Sequence, residues 1–474
     1  MATNKAVRAR VRKSKTRRPP IASHYEDFNS GDLFFSVSGF KAIGVETTLR
    51  IAPLTIISGT NSAGKSSFMQ PFLIMKQTLD SSFDPGALLL FGPNAKFTDA
   101  SQTLTKGKSK LSQVSKFQVS MRAGDVYRQV TYSDTAGGYI IEEDVAGVGE
   151  QSIRMTETGE GLISADVEDF LSDYGESMMS HFAKGDFFGD GGGPTTLSFP
   201  VQRQRSFLDV NLQFNREGKR PISFGADDFL STYTRSWIRL LQGIIHVPGL
   251  RGNPEREYPR SAVGDTYPGT LDTYVASIVL EWAVKDETKL KLLAGELARL
   301  GLTWKVHARR KNDAAVELLV GRMPQAQQGG SQDMVSVADV GFGVSQTLPV
   351  VVALLAAAPG QIVYLEQPEI HLHPRAQVQL AKTLVRASKR GVKVIAETHS
   401  SLLIRAIQTE IASGEIAATD VSLNWFSRDE QTGFSKVDVA DLDSKGRFGD
   451  WPLDFDEIAQ DADLAYISAI RGTV

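Results

Sequence analysis

Cysteine is absent from this chain of 474 residues. Disulfide bridges and thiolate-based zinc sites are therefore excluded, and the composition is compatible with a reducing cytoplasm. Long hydrophobic runs are also absent: the longest covers only residues 350–358, whereas a membrane helix needs roughly 20 apolar residues. No secretory signal pattern is present near the N-terminus. We therefore expect a cytoplasmic protein that makes no contact with a membrane.

Charge is unevenly distributed, although the formal net charge is only −3. Residues 1–18 carry eight Lys and Arg side chains and no acidic residue. A segment of this composition cannot bury a core, so residues 1–28 are predicted to form a disordered basic tail. The tail could bind nucleic-acid phosphates, or it could be a solubility or targeting tail without a fixed partner. Charge alone leaves both interpretations open.

Regular alternation of strands and helices is confined to two parts of the chain. Strands at 33–38, 45–51 and 54–58 precede a helix at 65–79, and from residue 334 strands and helices alternate. The predicted elements there are helices at 343–358, 374–390 and 400–413, strands at 362–366 and 392–397, and a hairpin at 421–427 and 434–439. This order predicts an α/β fold with a parallel sheet flanked by helices.

The middle of the chain follows a different pattern, with alternating stretches at 114–121 and 127–132 that are typical of antiparallel strands. Residues 189–194 have the composition of a flexible loop, and 227–244 and 271–300 are predicted to be helical. We therefore divide the chain into an α/β domain at 29–100 and 334–440, an α+β insertion at 101–333, and a C-terminal cap segment at 441–474.

A glycine-rich turn follows the third predicted strand and has the sequence GTNSAGKS over residues 59–66, which fits G-x4-G-K-[ST]. The glycines allow successive backbone N–H groups to face phosphate oxygens, and the next helix adds the positive end of its dipole. In this pattern Lys65 reaches the β- and γ-phosphates and the Ser66 hydroxyl binds Mg²⁺. The predicted ATP-binding residues of this loop are Gly59, Asn61, Ser62, Ala63, Gly64, Lys65, Ser66 and Ser67.

Two later strands end in residues that could complete such a site. The strand at 362–366 ends at Glu366. We predict that it lies beside the strand at 54–58, which leads into the glycine-rich turn, or P-loop, where a carboxylate is needed for Mg²⁺. A carboxylate cluster at a helix N-terminus, without a catalytic role, is the alternative. The next strand leads to His399, which could contact a γ-phosphate or have a structural role.

A second glycine-rich turn, at residues 339–346, lies just before a predicted helix. Gly341, Gly343 and Ser345 could form a second anion site there, although such turns often only cap a helix. The segment at 251–258 contains Arg251 and Arg256. It is either the source of an arginine that acts on a partner subunit or an ordered loop with a surface ion pair.

The order of these motifs resembles the ABC-type ATPases of the SMC and OLD kind, within the bacterial AAA family. Asn61 matches their G-x-N-x-x-G-K-S loop, residues 366–374 (EQPEIHLHP) match their Walker B and D-loop, and residues 398–400 (THS) match their switch histidine. Residues 341–346 stand where their signature loop lies. Residues 247–251, 339–349 and 451–452 are further similar to a subgroup with a C-terminal domain of unknown function.

The resemblance implies an ABC-type head with a long insertion between Walker A and the signature loop. It implies ATP and Mg²⁺ as cofactors, with Ser66 and Glu366 as metal ligands. It also implies a dimer in which Gly341, Gly343 and Ser345 of one copy meet the nucleotide of the other. The catalytic residues implied by the matching positions are Glu366, Gln367, Glu369 and His399.

Two departures from the family pattern indicate slow ATP hydrolysis. Gln367 stands where the family has its catalytic glutamate, so that Glu369 could serve instead, and Gly341 replaces the usual signature serine. The resemblance therefore implies a switch that controls a separate effector, such as a nuclease, in anti-phage defence of the Septu-like, PARIS-like or OLD-type kind. The alternative is an SMC-like ATPase that acts in DNA repair or binds DNA ends. A transporter subunit is disfavoured by the large insertion.

Overall fold

The computed structural model describes residues 32–106, 114–157, 162–163, 195–198, 200–216, 220, 222–225, 230–323, 325 and 333–449. The predicted basic tail at 1–28, the predicted loop at 189–194 and residues 450–474 of the predicted cap segment lie outside these ranges.

The described residues form seven α-helices and twenty-one strands. The α-helices are α1 (Lys65–Asp80), α2 (Leu230–Gln242), α3 (Val275–Lys285), α4 (Glu287–Arg299), α5 (Phe342–Ala356), α6 (Pro374–Lys389) and α7 (Ser401–Ala412). The strands are β1 (Leu33–Ser38), β2 (Thr47–Ile51), β3 (Leu54–Gly59), β4 (Lys116–Ala123), β5 (Val126–Thr135), β6 (Gly138–Val148), β7 (Gln151–Met155), β8 (Leu162–Ile163), β9 (Thr195–Ser198), β10 (Val201–Gln204), β11 (Phe207–Arg216), β12 (Ile222–Gly225), β13 (Ile245–Val247), β14 (Tyr258–Pro259), β15 (Val306–Arg310), β16 (Ala315–Gly321), β17 (Met334–Ser336), β18 (Ile362–Glu366), β19 (Lys393–Glu397), β20 (Val421–Arg428) and β21 (Ser435–Val439).

A six-stranded sheet with the order β13-β18-β19-β3-β20-β21 forms the centre of the fold. Its first five strands run parallel, and β21 is antiparallel to β20. The predicted α/β class is confirmed. The sequence also predicts that β18 lies directly beside β3, and this is wrong because β19 lies between them. Hydrophobic patterning identifies buried strands but does not determine which of them are neighbours.

Side chains from the central sheet enter two hydrophobic cores, one on each face. Ile56 and Val363 pack with the first core, which includes residues of α3, α5 and α6. Ile57 and Tyr364, one position further along their strands, pack with the second core, which includes residues of α1 and of the strands β1, β4 and β5. This is the alternation expected of a strand that is buried on both faces.

Two sheets, the seven-stranded sheet and the central sheet, contain strands from both sides of a predicted domain boundary. A seven-stranded sheet has the order β2-β1-β4-β5-β6-β7-β8, so it joins strands from both sides of residue 101. Conversely, β13 lies within the predicted insertion but pairs with β18 of the central sheet. The division into head, insertion and cap therefore stays a prediction, and its boundaries do not follow the sheets.

The prediction of a single helix at 271–300 is wrong, because the helix is interrupted at Asp286. A 3-10 turn at Leu271–Tyr274 leads into α3, and Asp286 then leaves the helical conformation. Its side chain accepts a hydrogen bond from the Lys289 backbone N–H and so caps α4. No helix among the described residues has the length and apolar character to cross a membrane.

A buried ion pair in the seven-stranded sheet also bonds to residues of α2 and β11. Arg128 on β5 donates two hydrogen bonds to Asp144 on β6, at 2.6 and 2.7 Å, and a third to the hydroxyl of Thr234 on α2. Asp144 also accepts from the backbone N–H of Leu208, at 2.7 Å. Both charged side chains are almost completely buried, so each depends on the other for compensation.

Replacing Asp144 by Asn is therefore expected to lower the free energy of unfolding by about 3–5 kcal/mol, because the Arg128 charge would lose its counterion inside the protein. Chemical denaturation of the purified variant measures this loss. Glu143→Gln is the matched control, since its ion pair with Arg154 is exposed and should be worth less than about 1 kcal/mol. Equal losses in the two variants would contradict this account.

Candidate nucleotide-binding site

The turn between β3 and α1 requires glycine at both of its ends. Gly59 has φ +135°, and a Cβ there would lie 1.9 Å from the carbonyl oxygen of Phe426 on β20. Gly64, immediately before α1, has φ +98°, and a Cβ there would lie 2.3 Å from the Ser435 hydroxyl. The two glycine positions of the motif are thus set by steric contact with the C-terminal hairpin as well as by the turn itself.

The hairpin β20–β21 makes hydrogen bonds to the backbone of the loop, an arrangement that the sequence did not predict. Arg428 donates from Nε to the carbonyl of Ser62 at 2.8 Å, and the Ser435 hydroxyl donates to the carbonyl of Ala63 at 2.6 Å. The Thr60 N–H donates to the carbonyl of Phe426 at 3.1 Å. Because these contacts engage two carbonyls and one N–H of the loop, they orient its peptide units. They link residues more than 360 positions apart, so no local pattern could reveal them.

Lys65 and Ser66, the first residues of α1, carry the polar groups of the loop. The Lys65 ammonium donates to the carbonyls of Gly59, at 3.0 Å, and Thr60, at 2.7 Å. Burial lowers the pKa of Lys65, and the charge of Glu397 opposes this shift. The Ser66 hydroxyl donates to Oε1 of Glu397 at 2.8 Å. The loop lysine and hydroxyl therefore both lie next to one carboxylate.

That carboxylate belongs to Glu397, the last residue of β19, which was absent from the predicted site. Its second oxygen accepts a hydrogen bond from the Tyr364 hydroxyl at 3.0 Å, and the side chain is only 3% exposed. Burial raises the pKa of Glu397, and the hydrogen bonds from Ser66 and Tyr364 only partly offset this. Its position directly before the Thr398–His399 motif was the available sequence signal.

Glu366 lies directly opposite Glu397 in the sheet register but is held by other groups. Its carboxylate bonds to Nε2 of His246 at 3.1 Å and accepts from the Gly249 N–H at 3.0 Å. Burial would raise the pKa of Glu366, but the interactions with His246 and the hydrogen bond from Gly249 bring it below its ordinary value. The predicted partnership of Ser66 with Glu366 is therefore not observed, because β19 separates β18 from the P-loop strand.

Among the described residues, the amide of Asn94 determines the orientation of His246. The Asn94 amide nitrogen donates to the carbonyl of Gly269 at 2.9 Å and lies 3.2 Å from Nδ1 of His246. With the nitrogen of the amide facing Nδ1, the ring accepts there and Nε2–H donates to Glu366. His246 also stacks on Tyr364, with ring centroids 5.4 Å apart. The two neighbouring carboxylates thus have separate sets of partners.

The remaining predicted catalytic residues lie in different surroundings. Gln367 and His399 both line the cavity beside the P-loop, and Gln367 has the left-handed φ of +43°. Burial lowers the pKa of His399, and the nearby Lys65 charge adds to this. Glu369 does not line that cavity. Its Oε1 accepts from the Thr398 hydroxyl at 2.7 Å and from the His399 N–H at 3.0 Å, so it positions the end of β19.

The cavity has a volume of about 780 Å³, which is within the range of small-molecule sites. Its lining includes the loop residues Asn61, Ser62, Ala63, Gly64, Lys65, Ser66 and Ser67, together with Gln367, Glu397 and His399. In the described part of the chain, no three His, Asp or Glu side chains are grouped to hold a metal ion. Mg²⁺ in nucleotide sites usually needs only one or two protein ligands besides phosphate and water, and Ser66 with Glu397 fits that requirement.

The second glycine-rich turn lies outside this cavity. Gly341, Gly343 and Ser345 are at the start of α5, and none of them lines the P-loop cavity of the same chain. Phe342 beside them is 54% exposed. Arg256 forms an ion pair with Asp339 at 2.7 Å on the surface, whereas Arg251 is buried. An ordered loop with a surface ion pair is therefore the observed state of the 251–258 segment.

Residues 326–405 match the family model described as "AAA domain, putative AbiEii toxin, Type IV TA system". This part of the chain is similar to an AAA domain. The matched segment contains the second glycine-rich turn, β18, β19 and His399, whereas the P-loop precedes it in the chain. No curated protein matches the sequence.

Similar solved structures include heads of SMC proteins. The SMC head bound to the C-winged helix domain of ScpA is 12% identical, covers 87% of this chain and 98% of its own, and has a TM-score of 0.41. The SMC head domain from Thermotoga maritima is 11% identical, with 86% and 98% coverage and a TM-score of 0.36. The Smc head with an extended coiled coil from Pyrococcus furiosus, bound to the C-terminal domain of ScpA, is 12% identical, with 86% and 96% coverage and a TM-score of 0.40. These similarities are too distant to assign an activity.

Proposed function

We propose that this protein binds ATP with Mg²⁺ at the P-loop, hydrolyses it slowly, and uses ATP binding to bring two copies together. The observation that carries the proposal is the contact between Ser66 of the loop and the buried carboxylate of Glu397. A hydroxyl at the start of a P-loop helix and an acidic residue at the end of a neighbouring parallel strand are the groups that hold Mg²⁺ in such sites.

The surrounding residues supply the other groups that ATP hydrolysis needs. Lys65 provides positive charge for the terminal phosphates, and the N-terminus of α1 adds its dipole. His399 and Gln367 line the same cavity and could orient a water molecule at the γ-phosphate. Bound Mg²⁺ would neutralise phosphate charge. Glutamine can orient water but cannot accept its proton, so slow turnover is expected.

Dimer formation would explain why the second glycine-rich turn is remote from the P-loop cavity of its own chain. Gly341, Gly343 and Ser345 would meet the nucleotide bound to the other copy, with the N-terminus of α5 directed at a phosphate. The exposed Phe342 would be covered in the same contact. Analytical ultracentrifugation with ATP and Mg²⁺, compared with ADP, tests this part. A protein that remains monomeric under both conditions would contradict it.

The biological role proposed on this basis is a cytoplasmic switch that controls a separate effector, such as a nuclease, in anti-phage defence. Its support is the resemblance to defence ATPases and the toxin–antitoxin description of the matched family. Co-purification of a second protein in the presence of ATP, and its loss with ADP, tests the role. The alternative role at DNA ends depends on the basic residues 1–18. DNA-stimulated hydrolysis that requires this segment would favour the alternative.

Gln367→Glu should raise the rate of ATP hydrolysis by roughly tenfold or more, since a positioned general base typically contributes about 10²–10⁴-fold. The new carboxylate would line the P-loop cavity and could accept a proton from water. Single-turnover measurements with purified protein provide the test. Gln379→Glu is the control for added charge, because Gln379 is a half-buried residue of α6 that does not line the cavity. Turnover that is unchanged or lower would show that residue 367 does not face the attacking water.

A further inference from the structure

Arg251 is buried between α5 and the end of β18, and all of its observed hydrogen bonds go to backbone carbonyls. Only 8% of the residue is exposed. One terminal nitrogen donates to the carbonyl of Gln346 on α5 at 3.0 Å. The other donates to the carbonyl of Glu366 at 2.9 Å and lies 3.5 Å from that of Gln367. A single guanidinium therefore joins the helix that follows the second glycine-rich turn to the end of β18.

The contact between these elements is reciprocal. Gln346, which is also buried, donates from its side chain to the carbonyls of Gly252 and Arg251, at 3.2 and 3.4 Å. The segment that carries Arg251 is itself fixed to β18, because the Gly249 N–H donates to the Glu366 carboxylate. Three elements that are distant in sequence thus meet at one set of hydrogen bonds, which would transmit a displacement of α5 to residues 366 and 367.

Burial of the Arg251 charge carries an electrostatic cost. Among the described residues Nε has no hydrogen-bond partner, and no carboxylate forms an ion pair with the side chain. Burial lowers the pKa of Arg251 to about 10, and the charges of Asp272, Glu366 and Glu369 only partly oppose this shift. Buried charged groups are often neutral or unfavourable for stability compared with apolar residues. A role in coordinating the three elements is a reason to retain it.

We propose that Arg251 is a positioning residue that couples the turn at 341–345 to Gln367 of the same copy. The inference rests on the proposed function. In that dimer the turn contacts the nucleotide of the partner copy, while Gln367 lines the P-loop cavity of its own copy. Occupation of one nucleotide site would therefore be transmitted through Arg251 to the other site, and the two sites would bind and hydrolyse ATP cooperatively.

The test compares full-length wild type with Arg251→Lys, Arg251→Ala and, as a matched control, Arg309→Ala. Arg309 is exposed on β15 and pairs with Glu317. Lysine keeps the charge but lacks the planar fork that reaches two carbonyls at once. The dependence of hydrolysis rate and of fluorescent ATP-analogue binding on nucleotide concentration is measured, and thermal unfolding identifies any variant that does not fold.

We expect a Hill coefficient of about 2 for wild type and for Arg309→Ala, and about 1 for both Arg251 variants, given two sites per dimer. Binding of the analogue at protein concentrations too low for dimers should change less than about twofold in Arg251→Lys, since this residue does not contact the P-loop cavity. If Arg251→Ala does not fold, the lysine variant decides the result. The combination of Arg251→Lys with Gln346→Ala should have no further effect on the Hill coefficient, because both changes remove the same link.

Several outcomes overturn the coupling role and separate it from the proposed function. A folded Arg251→Lys protein with wild-type cooperativity overturns it, and so does loss of analogue binding by the low-concentration protein, which would assign Arg251 to the binding site. A wild type that dimerises and hydrolyses ATP with a Hill coefficient of one overturns the coupling alone. A wild type that binds no ATP overturns the proposed function and the coupling with it.

Discussion

Lys65→Ala is expected to reduce ATP binding by at least roughly 100-fold, to a level that equilibrium titration does not detect. Hydrogen bonds that involve a charged donor contribute about 1.5–3 kcal/mol each, and the lysine of a P-loop contacts two phosphates. The variant should still fold. In the structure the ammonium only bridges the carbonyls of Gly59 and Thr60, and the loop retains its contacts with Arg428 and Ser435.

Isothermal titration with ATP and Mg²⁺ measures this effect, and thermal unfolding checks the fold. Lys285→Ala is the control, because Lys285 is an exposed residue of α3 that pairs with Glu281. If Lys65→Ala retained ATP affinity within about threefold of wild type, the β3–α1 turn would not be the nucleotide site. The proposed function would then have no structural basis.

Glu397→Gln is expected to remove most Mg²⁺-dependent ATP hydrolysis while it preserves the fold. Loss of even an outer-shell partner commonly weakens metal affinity by about 10–100-fold, and the Glu397 carboxylate is the group in contact with Ser66. Glutamine keeps the size of the side chain. Its amide oxygen can accept from one of the two hydroxyls of Ser66 and Tyr364, and its amide nitrogen can donate to the other. The Mg²⁺ concentration that gives half-maximal hydrolysis is the quantity to compare.

Glu366→Gln, measured in the same assay, shows which of the two carboxylates binds Mg²⁺. Its carboxylate is engaged by His246 and Gly249, so we expect a smaller shift in Mg²⁺ dependence than for Glu397→Gln. Glu317→Gln on β16 is the control for loss of an acidic residue outside the site. If the order were reversed, with Glu366→Gln having the larger shift, the metal would bind on the β18 side as the sequence alone predicts.

The pH dependence of these variants follows from the direction of the pKa shift. Because the pKa of Glu397 is raised in the metal-free folded protein, protonation of this carboxyl should compete with Mg²⁺ as the pH falls. The Mg²⁺ concentration that gives half-maximal hydrolysis should therefore rise at low pH in wild type, and this rise should be absent from Glu397→Gln. Because the pKa of Glu397 is higher in the folded than in the unfolded protein, folding is more favourable when this carboxyl is protonated. Its stabilising contribution is present below the unfolded pKa and is lost as the pH rises through the folded pKa. Without Mg²⁺, Glu397→Gln should therefore be at least as stable as wild type near neutral pH.

Much of the architecture could be predicted from the sequence because it is specified locally. The glycines at 59 and 64, followed by Lys65 and Ser66, require a turn and a helix start in almost any context. The apolar strands that end at Glu366 and Glu397 are bounded by turn residues, so the α/β class follows from their alternation with helices. The prediction of one helix at 271–300 was wrong at Asp286, because an aspartate can either continue a helix or cap the next one.

The arrangement of the site was decided by tertiary structure. The order of parallel strands is not encoded in their hydrophobic pattern, since each crossover helix can connect strands at different spacings in the sheet. Whether Glu366 or Glu397 met Ser66 therefore depended on β19 lying between β18 and β3. The contacts of Arg251 with Gln346 and Glu366, and of Arg428 and Ser435 with the loop, join residues about 100 to more than 360 positions apart. Sequence thus determined which chemical groups are present at strand ends, and packing determined which of them share the nucleotide cavity.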